Sequence, residues 1–130
     1  MIAAQNELEQ PAAARVTADP DGTVVIRFAI GCRLDGQNTV GVIRAHIAAA
    51  AGKRQPALVD ARGVRSTTRE ARELAVGDEI VAITSRMAVL VDNPVSRVLG
   101  NFFMVVTSPR YPTKLFTDEA AARVWLREPQ

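Results

Sequence analysis

The chain has 130 residues, of which 48% are hydrophobic and 23% charged. That is one domain with enough apolar surface for a core, and it excludes an intrinsically disordered chain. Of 16 Lys+Arg only Lys53 and Lys114 are lysine, yet 14 Asp+Glu leave a formal charge of just +2. The arginine excess is therefore first a matter of genome composition and does not signal a nucleic-acid-binding stripe.

Residues 1–12 show no hydrophobic period and are expected to form a flexible tail, with one domain over 13–130. Ala14–Ala18 reads as a short strand with Val16 pointing in. Asp19-Pro20-Asp21-Gly22 is a turn signal, since Pro fixes φ and Gly allows φ > 0. Thr23–Ala29 alternates, with Val24, Ile26 and Phe28 on one face and Val25, Arg27 and Ala29 on the other. These two strands form a hairpin.

Asp35 is placed to cap a helix from Gly36 to about Ala51, closed by Gly52. Val40, Ile43, Ile47, Ala50 and Ala51 fall on its apolar stripe, and His46 falls to the side. Pro56 opens a strand over Ala57–Ala61. An Arg-rich loop follows, and Thr68 caps a helix from Arg69. The apolar phase of that helix reverses between Leu74 and Val76, which predicts a break near Gly77 with Asp78 capping a second segment.

Met87–Asp92 reads as a buried strand. Asn93-Pro94 then starts a helix whose stripe runs through Val95, Val98, Leu99, Phe102, Phe103 and Val106. Thr113–Phe116 is the last strand. Thr117 caps the final helix, which packs through Ala121, Val124 and Trp125, with Asp118 and Glu119 at its positive end. The order β-β-α-β-α-β-α-β-α predicts an α/β sandwich with a mixed, mostly parallel sheet of about five strands.

Few residues offer chemistry. Cys32 has no partner for a disulfide, and with His46 it gives too few soft ligands for a metal site. Gly31, Gly36 and Gly41 lack the spacing of a phosphate-binding fingerprint, so no cofactor is expected. No nucleophile–base pair is visible, which points away from an enzyme. The apolar runs Met87–Val91 and Phe102–Val106 fall far short of the ~20 residues of a membrane span. An acidic N-terminus is unlike a signal peptide, and a cytoplasmic protein is expected. Six aromatic residues give a poor base-stacking surface, so no nucleic-acid partner is expected.

The segment Ala57-Leu58-Val59-Asp60-Ala61-Arg62-Gly63-Val64 resembles the strand-and-loop pattern of the STAS superfamily, the fold of the anti-sigma factor antagonists. Thr68–Arg72, Asn93–Phe103, Pro112–Thr117 and Ala122–Leu126 resemble a bacterial STAS-like branch. The resemblance spans about residues 14–127 and implies a single-domain STAS-like sandwich. It also implies a non-enzymatic regulatory or binding module. The family's phosphorylated Asp-Ser-Ser-Gly run is missing: Arg65-Ser66-Thr67-Thr68-Arg69-Glu70 stands there instead.

In open α/β sheets ligands sit beyond the carboxyl ends of the strands. The loops Gly31–Asp35, Arg62–Thr68 and Asp92–Ser96 meet at that end. The candidate site is Arg33, Arg62, Arg65, Ser66, Thr67, Thr68, Arg69, Arg72, Asn93, Ser96 and Arg97, suited to a protein partner or a small anion. Helix caps and exposed ion pairs are the ordinary use of the same residues. An alternative is a carrier of lipid or an apolar small molecule, which requires an apolar cavity. If Met104 joined Val76, Ile80 and Ile83 in an exposed patch, a homodimer would follow.

Overall fold

A computed structural model describes residues 10–91 and 110–129. The predicted helix from Pro94 lies outside them, as do Asp92, Asn93, Ser96, Arg97 and Met104. In chain order the elements are β1 (Ala14–Ala18), β2 (Val24–Phe28), β3 (Cys32–Leu34), α1 (Gly36–Ala50), β4 (Gln55–Asp60), β5 (Val64–Thr67), α2 (Arg69–Leu74), α3 (Asp78–Ile83), β6 (Thr84–Leu90), β7 (Thr113–Phe116) and α4 (Glu119–Arg127).

Five strands form one sheet in the order β1-β2-β4-β6-β7. β1 and β2 are the antiparallel hairpin, with Val16 opposite Ile26, and the remaining pairs are parallel. Gly22 sits in the hairpin turn at φ +95°, a conformation side chains resist. Before β1, the Gln10 side chain exchanges two hydrogen bonds of 2.8 Å with the Val16 backbone, which ties this residue to the hairpin.

Strand alternation divides the core into two layers. On one face Val24 and Ile26 pack with Val16, Val42 and Ala45, and Ala57 and Met87 pack with Ile80 and Tyr111. On the other, Val25, Leu58 and Ala88 receive Ala122 and Leu126 of α4. Leu58 and Leu90 are fully buried, each contributing roughly 1.5–3 kcal/mol of transfer free energy. Among the described residues, three helices thus share one face and α4 packs on the other. Phe116 lies 5.7 Å from Trp125, and the Arg86 guanidinium stacks 4.9 Å over Trp125 while donating to its carbonyl.

Several expectations are corrected. α1 is rotated from its predicted stripe: Thr39, Val42, Ala45, His46 and Ala50 are buried, while Val40 is exposed. Its cap is as expected, with Asp35 and Asn38 exchanging side-chain bonds with each other's backbone N–H. The helix ends at Ala51 itself, in the left-handed region at φ 55°, before Gly52. The break at Gly77 is present, but Gly77 occupies the cap position and Asp78 is the first helical residue. Ile80 is buried, which takes it out of any exposed apolar patch. β6 starts at Thr84, directly from α3, three residues before the predicted strand. Asp118, not Thr117, caps α4 by accepting from Ala121 N–H. That shift turns Ala122, Trp125 and Leu126 inward and leaves Val124 exposed. The predicted loops at 31–35 and 62–67 contain β3 and β5, which pair in parallel as a separate ribbon.

Candidate functional site

The ribbon is built where β2 and β4 leave the main sheet. The turn after β2 crosses the turn after β4, and Gly31 N–H donates to Gly63 O at 2.7 Å. A side chain at Gly63 would lie 2.8 Å from both Ala29 O and Ile30 Cα, so glycine is required for the crossing. Val64 N–H returns to Ala61 O, and Thr68 N–H closes the far end on Leu34 O. Leu34, Val64 and Thr67 face inward, whereas Arg33, Arg65 and Ser66 face solvent. Ile30 stands at the crossing and is 96% exposed.

The structure sorts the predicted arginines into two groups. Arg62 turns toward Asp60, donating from Nε at 2.9 Å and from Nη2 at 2.8 Å. Asp60 also accepts from Arg27 Nη1 at 3.0 Å. The Arg62 guanidinium, then desolvation acting in the opposite sense, then Arg27 set its carboxyl, which is held below the usual carboxylate range. Arg27 continues to Glu119, which Arg123 also contacts, and Arg123 reaches Asp19 at 2.7 Å. Arg27 above all holds the Glu119 carboxyl down at about 2. This network joins the hairpin turn, β2, β4 and α4. It consumes Arg62 in a structural role.

Arg72 donates from Nη1 to Thr67 O at 2.9 Å, bracing β5 from α2. Thr68 caps α2 by accepting from Ala71 N–H. Arg69 pairs with Glu73 on an exposed helix face at 3.2 Å. Arg33 and Arg65 have no acid partner among the described residues. The rim that remains open is Ile30, Arg33, Arg65, Ser66 and the guanidinium of Arg69. Ile30 falls between the predicted strand Thr23–Ala29 and the predicted loop Gly31–Asp35, and no local spacing marks it as exposed.

The helix N-termini at this rim are occupied by the chain's own groups. Asp35 and Asn38 fill the start of α1, and Glu70 lies so close to Gly36 that any side chain there would collide with its carboxylate. Burial pushes the Cys32 thiol up, away from the thiolate form.

Beneath the ribbon lies a cavity of about 170 Å³. Its sheet side includes Phe28, Val59, Val89 and Leu115, and its helix side includes Val42 and Ile43. Thr39 and His46 are among its lining residues, and their Oγ1 and Nε2 atoms are buried without hydrogen-bond partners. His46, expected on a helix flank, is 2% exposed. Burial lowers its pKa to about 4, so the imidazole is neutral. Tyr111, buried against Met87, is pushed up to about 12 by the same desolvation. Among the described residues, no cluster of His, Cys, Asp or Glu suits a metal ion, and no helix is long and apolar enough to cross a membrane.

Comparison with known proteins fixes the fold and the family. An uncharacterised protein of the DUF3478 family from Shewanella loihica PV-4, described as having a SpoIIAA-like fold, superposes with a TM-score of 0.63 at 18% identity, over 88% of this chain and 92% of that one. The anti-sigma factor antagonist SpoIIAA in its unphosphorylated form superposes with a TM-score of 0.60 at 22% identity, over 90% of this chain and 100% of that one. Both likenesses show a STAS-like fold. No curated protein matches the sequence. The family model of DUF7793, a domain of unknown function, matches residues 17–130, and the chain belongs to that family.

Proposed function

We propose that this chain is a non-enzymatic STAS-like binding module that docks an acidic protein surface on the rim formed by the 28–31 turn and the β3–β5 ribbon. The observation that carries this reading is Ile30, 96% exposed, on the same turn-and-ribbon unit as two arginines without acid partners among the described residues. An apolar anchor with cations on the same unit matches the division of labour at protein interfaces. Burial of the anchor supplies affinity, and complementary charge supplies rate and register. Insertion of one isoleucine contributes roughly 1.5–3 kcal/mol. A small free anion fits the rim less well. α2 has only six residues, and both helix starts are already filled.

The test is quantitative capture from cell extract with the intact chain and with the Ile30→Ser/Arg65→Glu pair, each across a salt series. A partner retained by the parent, weakened by salt and lost with the double variant supports docking at this rim. A partner held equally by both proteins overturns it. A second reading, binding of an apolar small molecule, is favoured by the cavity beneath the ribbon.

A further inference from the structure

β1 lies at one edge of the five-stranded sheet and pairs only with β2 among the described residues. Where the ladder continues beyond the strand ends, Ala29 N–H donates to Ala13 O and Asp19 N–H donates to Thr23 O. Antiparallel bonding alternates along a strand, so Ala14, Val16 and Ala18 turn their N–H and C=O groups to the open side. Such an edge is a template for another strand. The features that usually blunt an edge are sparse here. β1 pairs with β2 without a bulge, contains no proline and has one charge, Arg15. The opposite edge, β7, follows Pro112 directly and carries Lys114.

One device does cover the β1 edge. Gln10 Nε2 donates to Val16 O, and Val16 N–H donates to Gln10 Oε1, both at 2.8 Å. Two facing residues of neighbouring antiparallel strands exchange the same pair of bonds. A side-chain amide thus stands in for a further strand at the middle of β1. We infer that this edge is a self-pairing surface, closed by the Gln10 amide, and that its occupant is β1 of a second copy. A two-fold axis at Val16 sets Val16 against Val16 of the second copy, and they exchange the bonds that Gln10 holds in the single chain. Ala14 then faces Ala18 of the other copy, and Arg15 faces its Thr17. Small residues meet small residues and no like charges oppose, so β1 is its own complement.

Sedimentation velocity of the intact chain tests this. The two bonds of one guard correspond to about tenfold in an equilibrium, and a dimer releases one guard from each copy. Gln10→Ala is therefore expected to tighten self-association about 100-fold over the parent. Position 17 reads the register with little effect on folding, because Thr17 is exposed. In the Gln10→Ala chain, Thr17→Glu sets an acid opposite Arg15 of the second copy, and Thr17→Arg sets a cation there. The glutamate form is expected to dimerise about tenfold more tightly than the arginine form, since the pair occurs twice. A Gln10→Ala chain that associates no more tightly than the parent overturns the inference. So does a dimer indifferent to the charge at position 17, and so does growth past the dimer, which a closed two-fold contact does not allow.

Discussion

Titration of His46 links folding to pH. His46 is the chain's one histidine. Burial lowers the native pKa from 6.5 to about 4. The unfolded chain therefore takes up its proton first as the pH falls. The stabilisation is complete above 6.5 and is lost on the way down to 4, at up to ~1.4 kcal/mol for each pH unit. Between pH 7 and pH 5 the expected loss is about 2 kcal/mol, or about 5–10 °C in melting temperature for a domain of this size. Urea unfolding at half-unit pH steps measures it, with His46→Gln as the control that has nothing to titrate. A parent stability that is flat from pH 7 to pH 5, or a His46→Gln variant with the same slope, refutes the burial of an uncharged imidazole.

Other outcomes follow from packing and charge. Gly63→Ala drives a methyl group into Ala29 O and Ile30 Cα; a loss of about 1–3 kcal/mol is expected by urea denaturation. Arg27→Met strips contacts from Asp60 and Glu119. With Arg27 partly exposed and its ion pairs screened, the cost is about 1–2 kcal/mol, and a double-mutant cycle with Glu119→Gln shows coupling. Because Arg27 lowers the Glu119 pKa to about 2, that contribution is present above 4.5 and disappears as the pH falls through 2. Ala51→Gly relieves a left-handed alanine at the end of α1 and is expected to raise stability by about 0.5–1 kcal/mol, read as a higher melting temperature.

Local chemistry made much of the fold legible. Asp35 and Thr68 announce helix starts, Asp19–Gly22 announces the hairpin, and the phase reversal after Leu74 announces the break at Gly77. Where two neighbours compete for one role, the reading slipped by a residue, as with Thr117 and Asp118. The stripe of α1 is faint because half of its apolar residues are alanine, and a one-residue rotation changes little in hydrophobicity. The candidate site was legible only as a region. The spacing of Arg62, Arg65, Arg69 and Arg72 says that arginines cluster, but not that Arg62 answers Asp60 while Arg72 braces Thr67.

The sequence by itself determined the alternation of strands and helices, the caps, the turns and the STAS-like pattern around Asp60 and Gly63. Those features depend on neighbours a few residues apart, and their physics is written in backbone propensity and side-chain period. Only the tertiary structure decided that two apparent loops pair into a ribbon, since the Gly31–Gly63 crossing joins residues far apart in the chain. It alone exposed Ile30, linked Arg27 to Glu119, and buried His46 beside an apolar cavity. Burial, ion pairing and cavities depend on what other elements bring to the same point in space, which no local spacing encodes.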